Sequence, residues 1–211
     1  NTNPVVGAEK VSSYLPLLKN KRVGLIVNQT SIVNNEENHP QHLVDLLLAN
    51  EIDVVRLFAP EHGIRGNHDA GELVDSSKDL KTGIEIVSIY GQSKRPKAQH
   101  IEDLDVLVFD IQDVGARFYT YINSMFYMMQ AAQLANTPFV VLDRPNPNID
   151  ITSGPMLEAE FRSFVGLLPI PMIHGLTVGE LAKMIVGEGW LNTIESLTTS
   201  SSTSQTLALF V

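Results

Sequence analysis

Short apolar runs alternate with polar loops and helical stripes along most of this chain. Arg22-Val23-Gly24-Leu25-Ile26-Val27-Asn28 is brief, rich in β-branched residues and closed by the polar Asn28-Gln29-Thr30, the pattern of a buried strand. Residues 54–59, 84–89, 106–110 and 139–143 repeat that pattern. Residues 41–50 instead carry Leu43, Val44, Leu46, Leu47 and Leu48 as a broad helical stripe. A Met-, Ala- and Tyr-rich helix is predicted over 120–135, and its Met125, Met128 and Met129 read as core filling. A third is predicted over 178–186, with Thr177 as N-cap and Glu180 closing a capping box. Strands that are apolar throughout and separated by helices imply an α/β fold. The expected form is Rossmann-like and doubly wound, a mostly parallel sheet of about five strands with helices on both faces.

Two stretches break the alternation. Residues 61–83 form a long polar segment without clear periodicity, and loops of that length inside a compact domain tend to be functional. After about residue 192 comes the low-complexity Thr198-Thr199-Ser200-Ser201-Ser202-Thr203-Ser204, then the apolar Leu207-Ala208-Leu209-Phe210-Val211. Residues 1–190 are therefore read as the domain, and 191–211 as a tail whose apolar end is either a strand or an odd terminus.

Composition narrows the chemistry. The 211 residues contain no cysteine, which removes thiolate catalysis, disulfides and Cys-based metal sites. A net charge of −9 without a basic face argues against nucleic acid as a partner. The densest basic stretch, Ser93-Lys94-Arg95-Pro96-Lys97, reads as a solvated loop, with a local anion site as its alternative. No apolar run approaches the roughly 20 residues needed to span a bilayer. The chain opens on Asn1 rather than Met, which is compatible with a removed leader.

In open α/β sheets, ligands bind beyond the carboxyl ends of the strands. Asn28 and Gln29 follow the first strand there, and Glu61, His62 and Arg65 the second. Asp110, Asp113, Arg117, Tyr119 and Tyr121 end or follow the fourth, and Asp143, Arg144 and Asn146 the fifth. Bland roles exist for each: Asp110 and Asp143 can cap turns, and Arg117 and Arg144 can bridge those aspartates. The first strand runs into no GxGxxG turn, and there is no Walker loop or GxSxG elbow, so no dinucleotide, nucleotide or other cofactor is expected. His62, His68 and Asp69 share one loop but match no zinc-ligand spacing, so no metal is assigned and a metal-assisted hydrolase is kept as a rival. A carboxylate-centred crevice with hydroxyl, amide and guanidinium donors remains, and such a set suits a sugar.

The segments Arg22 to Thr30, Ala59-Pro60-Glu61-His62-Gly63-Ile64-Arg65-Gly66, and Val108 through Asp110-Ile111-Gln112-Asp113-Val114-Gly115-Ala116-Arg117-Phe118-Tyr119-Thr120-Tyr121 stand in order. They are followed by Asp143-Arg144-Pro145-Asn146-Pro147, Glu160-Phe161-Arg162-Ser163-Phe164-Val165-Gly166, Pro169-Ile170-Pro171 and His174-Gly175-Leu176-Thr177-Val178-Gly179-Glu180. Together they resemble a bacterial family first described as a domain of unknown function, DUF1343, and associated with exo-β-N-acetylmuramidase activity. The resemblance implies an N-terminal Rossmann-like domain with a cleft against a second, C-terminal domain. It also implies release of N-acetylmuramic acid from non-reducing ends of peptidoglycan fragments, in the periplasm or outside the cell. Family members are longer, and residues 194–211 do not look like their continuation, so the second domain is read as missing here. Glu61 is the candidate acid, with Asp110, Asp113, Tyr119 or Tyr121 as its partner. Arg65, Arg117 and Arg144 are candidates for reading the muramic carboxylate, and Asn28, Gln29, His62, Asp143 and Asn146 for other substrate contacts. A non-catalytic module that holds a cell-wall sugar is the rival outside enzymes. Oligomeric state is left open.

Overall fold

The computed structural model describes residues 4–34, 39–61, 63–65, 77–91, 94–194 and 206–211. The expectations for His62, His68, Asp69, most of the 61–83 segment and the serine–threonine run fall outside them. The strands are β1 (Arg22–Val27), β2 (Ile32–Asn34), β3 (Pro40–His42), β4 (Asp53–Ala59), β5 (Ser77–Lys78), β6 (Glu85–Ser88), β7 (Val106–Asp110), β8 (Phe139–Val141) and β9 (Leu209–Phe210). The helices are α1 (Val11–Leu18), α2 (Leu43–Ala49), α3 (Tyr121–Ala135), α4 (Val178–Gly187) and α5 (Trp190–Thr193). The main sheet runs β5-β6-β4-β1-β7-β8-β9, and every pairing in it is parallel except that of the edge strand β5. Numbered among themselves, the six parallel strands follow the 3-2-1-4-5-6 order of a doubly wound Rossmann-type sheet. The expected alternation and parallel sheet are present, with β9 added from the apolar end of the chain.

Side chains alternate between two cores because successive residues of a strand face opposite ways. Val23, Leu25 and Val27 of β1 pack with α1 and α2, together with Val106 and Val108 of β7. Ile26, Phe58, Leu107, Phe109, Phe139 and Val141 pack on the other face against α3, α4 and α5. Gly24 belongs to that second face, where a Cβ would stand 2.6 Å from Leu104 and 2.7 Å from Leu107. A larger residue there would have to displace those leucine side-chain ends and the Phe58 ring edge. The capping box at Thr177 and Glu180 starts α4 as expected. Asn136, in the left-handed region at φ 55°, ends α3.

The switch point lies between β1 and β7, where successive crossovers leave in opposite directions. Beneath it, Arg144 donates from Nε to Asp110 Oδ1 at 2.6 Å and from Nη2 to Oδ2 at 3.0 Å. Nη2 also reaches the carbonyl of Ile32 at 3.1 Å, and Ser31 Oγ donates to the backbone carbonyl of Asp110. Asp110 is 0% exposed and Arg144 7%, so neither charge is solvated. Burial pushes the Asp110 carboxyl up from its ordinary value, and the Arg144 cation opposes that rise. Further out, Arg65 donates to Asp79 at 2.9 and 3.0 Å and to Asp45 at 3.3 Å, tying the segment after β4 to the approach to β6. The Arg65 hydrogen bonds hold the Asp79 carboxyl down to about 2 despite its burial, with Thr82 adding to the effect.

Two outcomes follow for stability. Arg144→Leu strands a buried carboxylate and should cost about 3–5 kcal/mol in urea unfolding. The double variant Asp110→Leu/Arg144→Met should lose less than that single change; a larger loss would mean the pair stabilises beyond charge compensation. Asp79 has a depressed native pKa, so its contribution is present above the ordinary value of 3.8 and is lost as pH falls toward about 2. The urea midpoint should therefore drop across that window, and Asp79→Asn should flatten the drop.

Candidate active site

The loops after β1 and β7 are tied to each other before they offer anything to a ligand. Asn28 Oδ1 accepts from Thr30 N at 2.8 Å and from Thr30 Oγ1 at 2.6 Å, closing an Asx-type turn. Thr30 Oγ1 in turn accepts from Gln112 N at 3.0 Å. The Asn28 carbonyl is engaged by His42 Nε2 at 2.9 Å. These contacts fix Asn28 by its oxygens and leave its amide nitrogen, fully buried, without a hydrogen-bond partner. The Tyr121 hydroxyl, in the first turn of α3, also makes no hydrogen bond of regular geometry. It lies within electrostatic reach of Asn28, Gln29 and Tyr119. Burial, with the neighbouring Tyr119, pushes this phenol up to about 12, so at neutral pH it is an uncharged donor. Tyr119 meets the Tyr121 ring edge-on at 5.0 Å and 86° and is itself 36% exposed, and Gln29 is exposed. This pair of aromatic groups thus runs from the buried polar atoms to solvent.

Glu61 joins them from the end of β4, one residue beyond Pro60. Thr120 Oγ1 donates to Glu61 Oε2 at 3.3 Å. The Tyr90 side chain, just beyond β6, lies within electrostatic reach of this carboxylate, and burial followed by the Glu61 interaction raises the Tyr90 phenol. Glu61, Tyr119, Tyr121, Asn28 and Gln29 were all legible in sequence as candidates. Thr120 and Tyr90 were not singled out, because a hydroxyl has no signature until the strand ends are placed.

Most of the other candidates serve the scaffold around this site. Asp110 and Arg144 are committed to each other, and Arg65 to Asp79 and Asp45. Asp143 accepts from Thr177 Oγ1 and from Gly179 N, both at 2.8 Å, and so anchors the start of α4. Asn146 accepts from Asn148 N at 2.8 Å and donates to the Leu176 carbonyl at 2.9 Å. Arg117 Nη1 donates to the carbonyls of Pro155 and Ile170 at 2.8 and 2.5 Å. Asp113 Oδ2 accepts from Gly115 N at 2.8 Å and faces His174 Nε2 at 3.5 Å, while its Oδ1 is buried without a partner. Among the described residues, no group of three or more His, Asp or Glu is arranged to hold a metal ion.

Several known proteins share this fold and these motifs. The family described as exo-beta-N-acetylmuramidase NamZ, N-terminal, matches residues 23–205. Peptidoglycan beta-N-acetylmuramidase NamZ of Bacillus subtilis (strain 168) is 49% identical over 173 residues, covering 81% of this chain and 41% of that protein. One crystal structure of a DUF1343 family protein from Bacteroides fragilis NCTC 9343 is 43% identical with a TM-score of 0.79, over 93% of this chain and 51% of that one. A second DUF1343 protein from the same organism is 37% identical with a TM-score of 0.82, over 98% of this chain and 48% of that one. The chain thus spans about half the length of these relatives, or less. Both the extent of the family match and the identity to a characterised relative lead to one conclusion: this chain belongs to the NamZ exo-β-N-acetylmuramidase family, as its N-terminal part.

Proposed function

We propose that this protein acts in bacterial cell-wall turnover as an exo-β-N-acetylmuramidase, releasing N-acetylmuramic acid from peptidoglycan fragments in the periplasm or outside the cell. The observation that carries this reading is Glu61, at the carboxyl edge of the sheet, accepting from the Thr120 hydroxyl with Tyr90 in electrostatic reach, beside Asn28, Tyr119 and Tyr121. Glycoside hydrolysis needs an acid for the leaving oxygen and a second group that acts as base or nucleophile. Glu61 takes the first role. The Tyr121 hydroxyl and the Asn28 amide are donors that the fold leaves unmatched, and sugar hydroxyl or N-acetyl oxygens are acceptors of the right kind. Asp110, locked against Arg144, is a poor second group. Asp113 keeps one carboxylate oxygen unengaged and is the stronger carboxylate candidate for that role.

The direct test is turnover of p-nitrophenyl β-N-acetylmuraminide with and without EDTA. Turnover indifferent to EDTA supports carboxylate chemistry, EDTA-sensitive turnover favours the metal-assisted rival, and binding without turnover favours a sugar-holding module. Glu61→Gln should lower kcat by about 10²–10⁴-fold with the fold intact. The same variant should recover much of its rate on a dinitrophenyl glycoside, whose leaving group needs little protonation. An equal deficit on both leaving groups would assign Glu61 another role.

Tyr121→Phe deletes a hydroxyl that has no regular protein partner. Its thermal midpoint should hardly move, while kcat/KM should fall up to about tenfold, the value of one neutral hydrogen bond. A large loss of stability with unchanged kinetics would assign that hydroxyl to the fold.

A further inference from the structure

The proposed substrate is an anion, and the cations nearest the sheet edge in sequence are largely neutralised. Arg65 and Arg144 have carboxylate partners, and Arg117 clamps two backbone carbonyls. Arg162 differs. Its Nε is buried without a hydrogen-bond partner, and among the described residues no carboxylate pairs with it. A guanidinium whose Nε–H is desolvated and unmatched is costly unless something outside the protein completes it.

The chain two residues beyond it leads to the candidate active site. Arg162 stands two residues before Phe164, whose carbonyl accepts from Asn123 Nδ2 at 2.7 Å in the first turn of α3. The Phe164 ring lies 6.0 Å from that of Tyr90, whose phenol is in electrostatic reach of Glu61. Phe164 also stacks on Tyr127 at 6.0 Å and 8°. Lys94 Nζ lies 4.7 Å from the centroid of the Phe164 ring, and Arg95 is 4.0 Å from that of Tyr127. Lys94 and Arg95 of the basic stretch therefore sit against the same aromatic group. In a chain of net charge −9, attraction for an anion has to come from a local cluster such as this one.

We propose that Arg162, supported by Lys94 on the neighbouring Phe164 ring, is the anion-reading subsite of the Glu61 site. It takes the carboxylate of the lactyl ether that distinguishes muramic acid from glucosamine, and so rests on the muramidase reading above. A guanidinium fork can hold a carboxylate through two parallel N–H donors, whereas an amide or hydroxyl gains much less from it.

The test compares kcat/KM of the intact protein on p-nitrophenyl β-N-acetylmuraminide and on its lactyl amide, which keeps the shape and removes the charge. Arg162→Gln should reduce the carboxylate-over-amide preference by about tenfold to a hundredfold. Arg162→Lys should retain part of it, and Lys94→Met, at an exposed position, should lower it by a smaller factor whether or not Arg162→Gln folds. Unchanged preference in the folded Arg162 variants, or equal loss on both substrates, overturns the proposal. Calorimetry with free N-acetylmuramic acid and N-acetylglucosamine separates this from the parent reading. A protein that binds the former more tightly through Arg162 but cleaves neither glycoside retains the subsite and loses the muramidase reading. Cleavage that depends on Glu61 with full preference in the Arg162 and Lys94 variants keeps the muramidase and removes the subsite.

Discussion

The buried pair of Asp110 and Arg144 is the constraint around which the working edge of this protein is organised. Three segments distant in sequence meet on it: the end of β7, the chain beyond β8, and the Ser31-Ile32 stretch after β1. A doubly wound sheet opens a crevice where its crossovers diverge, and an open crevice has loops that need a floor. Two full charges out of water are an expensive floor, tolerable because the geometry is bidentate and the spare guanidinium donor finds a carbonyl. In return the loops above it have little freedom to shift. Asn28 and Tyr121 are placed relative to one another by that rigidity, through the Asn28–Thr30–Gln112 chain of hydrogen bonds.

Charge and polarity are divided between scaffold and site. The ion pairs of Arg56, Arg65 and Arg144 bind segments of the fold together. Among the described residues, the groups named beside Glu61 are neutral: the hydroxyls of Thr120 and Tyr90, with two more tyrosines and two side-chain amides close by. Neutral donors recognise hydroxyl-rich ligands without binding every passing ion.

The sheet was largely legible because its buried strands are apolar on both faces, and α4 because Thr177 and Glu180 announce its start. Helix α1 was not, since Ser12, Ser13 and Pro16 interrupt its stripe and Lys10 caps it with no side-chain bond. The hairpin of β2 and β3 and the edge strand β5 were too short to show a period. Within the site, residues that end strands were legible by position, whereas their division of labour was not. Asp143 and Glu61 both follow strands, yet one is spent on the N-terminus of α4 and the other accepts from the Thr120 hydroxyl. That difference depends on residues far away in sequence, Thr177 for one and Thr120 for the other. Arg162 was quoted only as part of a motif, because an unmatched donor can be recognised only once every neighbour is in place.

The parallel ladder between β8 and β9 has a consequence for how the chain is made. β8 pairs with β7 on one side as soon as Phe139–Val141 emerges, but its other side waits for Leu209 and Phe210, which come after α4 and α5. At roughly 5–20 residues per second of synthesis, that edge stays uncovered on the order of seconds. An uncovered strand of Phe, Val and Val is a template for any other extended chain on the same polysome. The intervening helices pack on one face of the sheet and cannot cap the strand's hydrogen-bonding side. The interval between making β8 and making β9, rather than the finished sheet, is therefore when this edge is most open to mispairing.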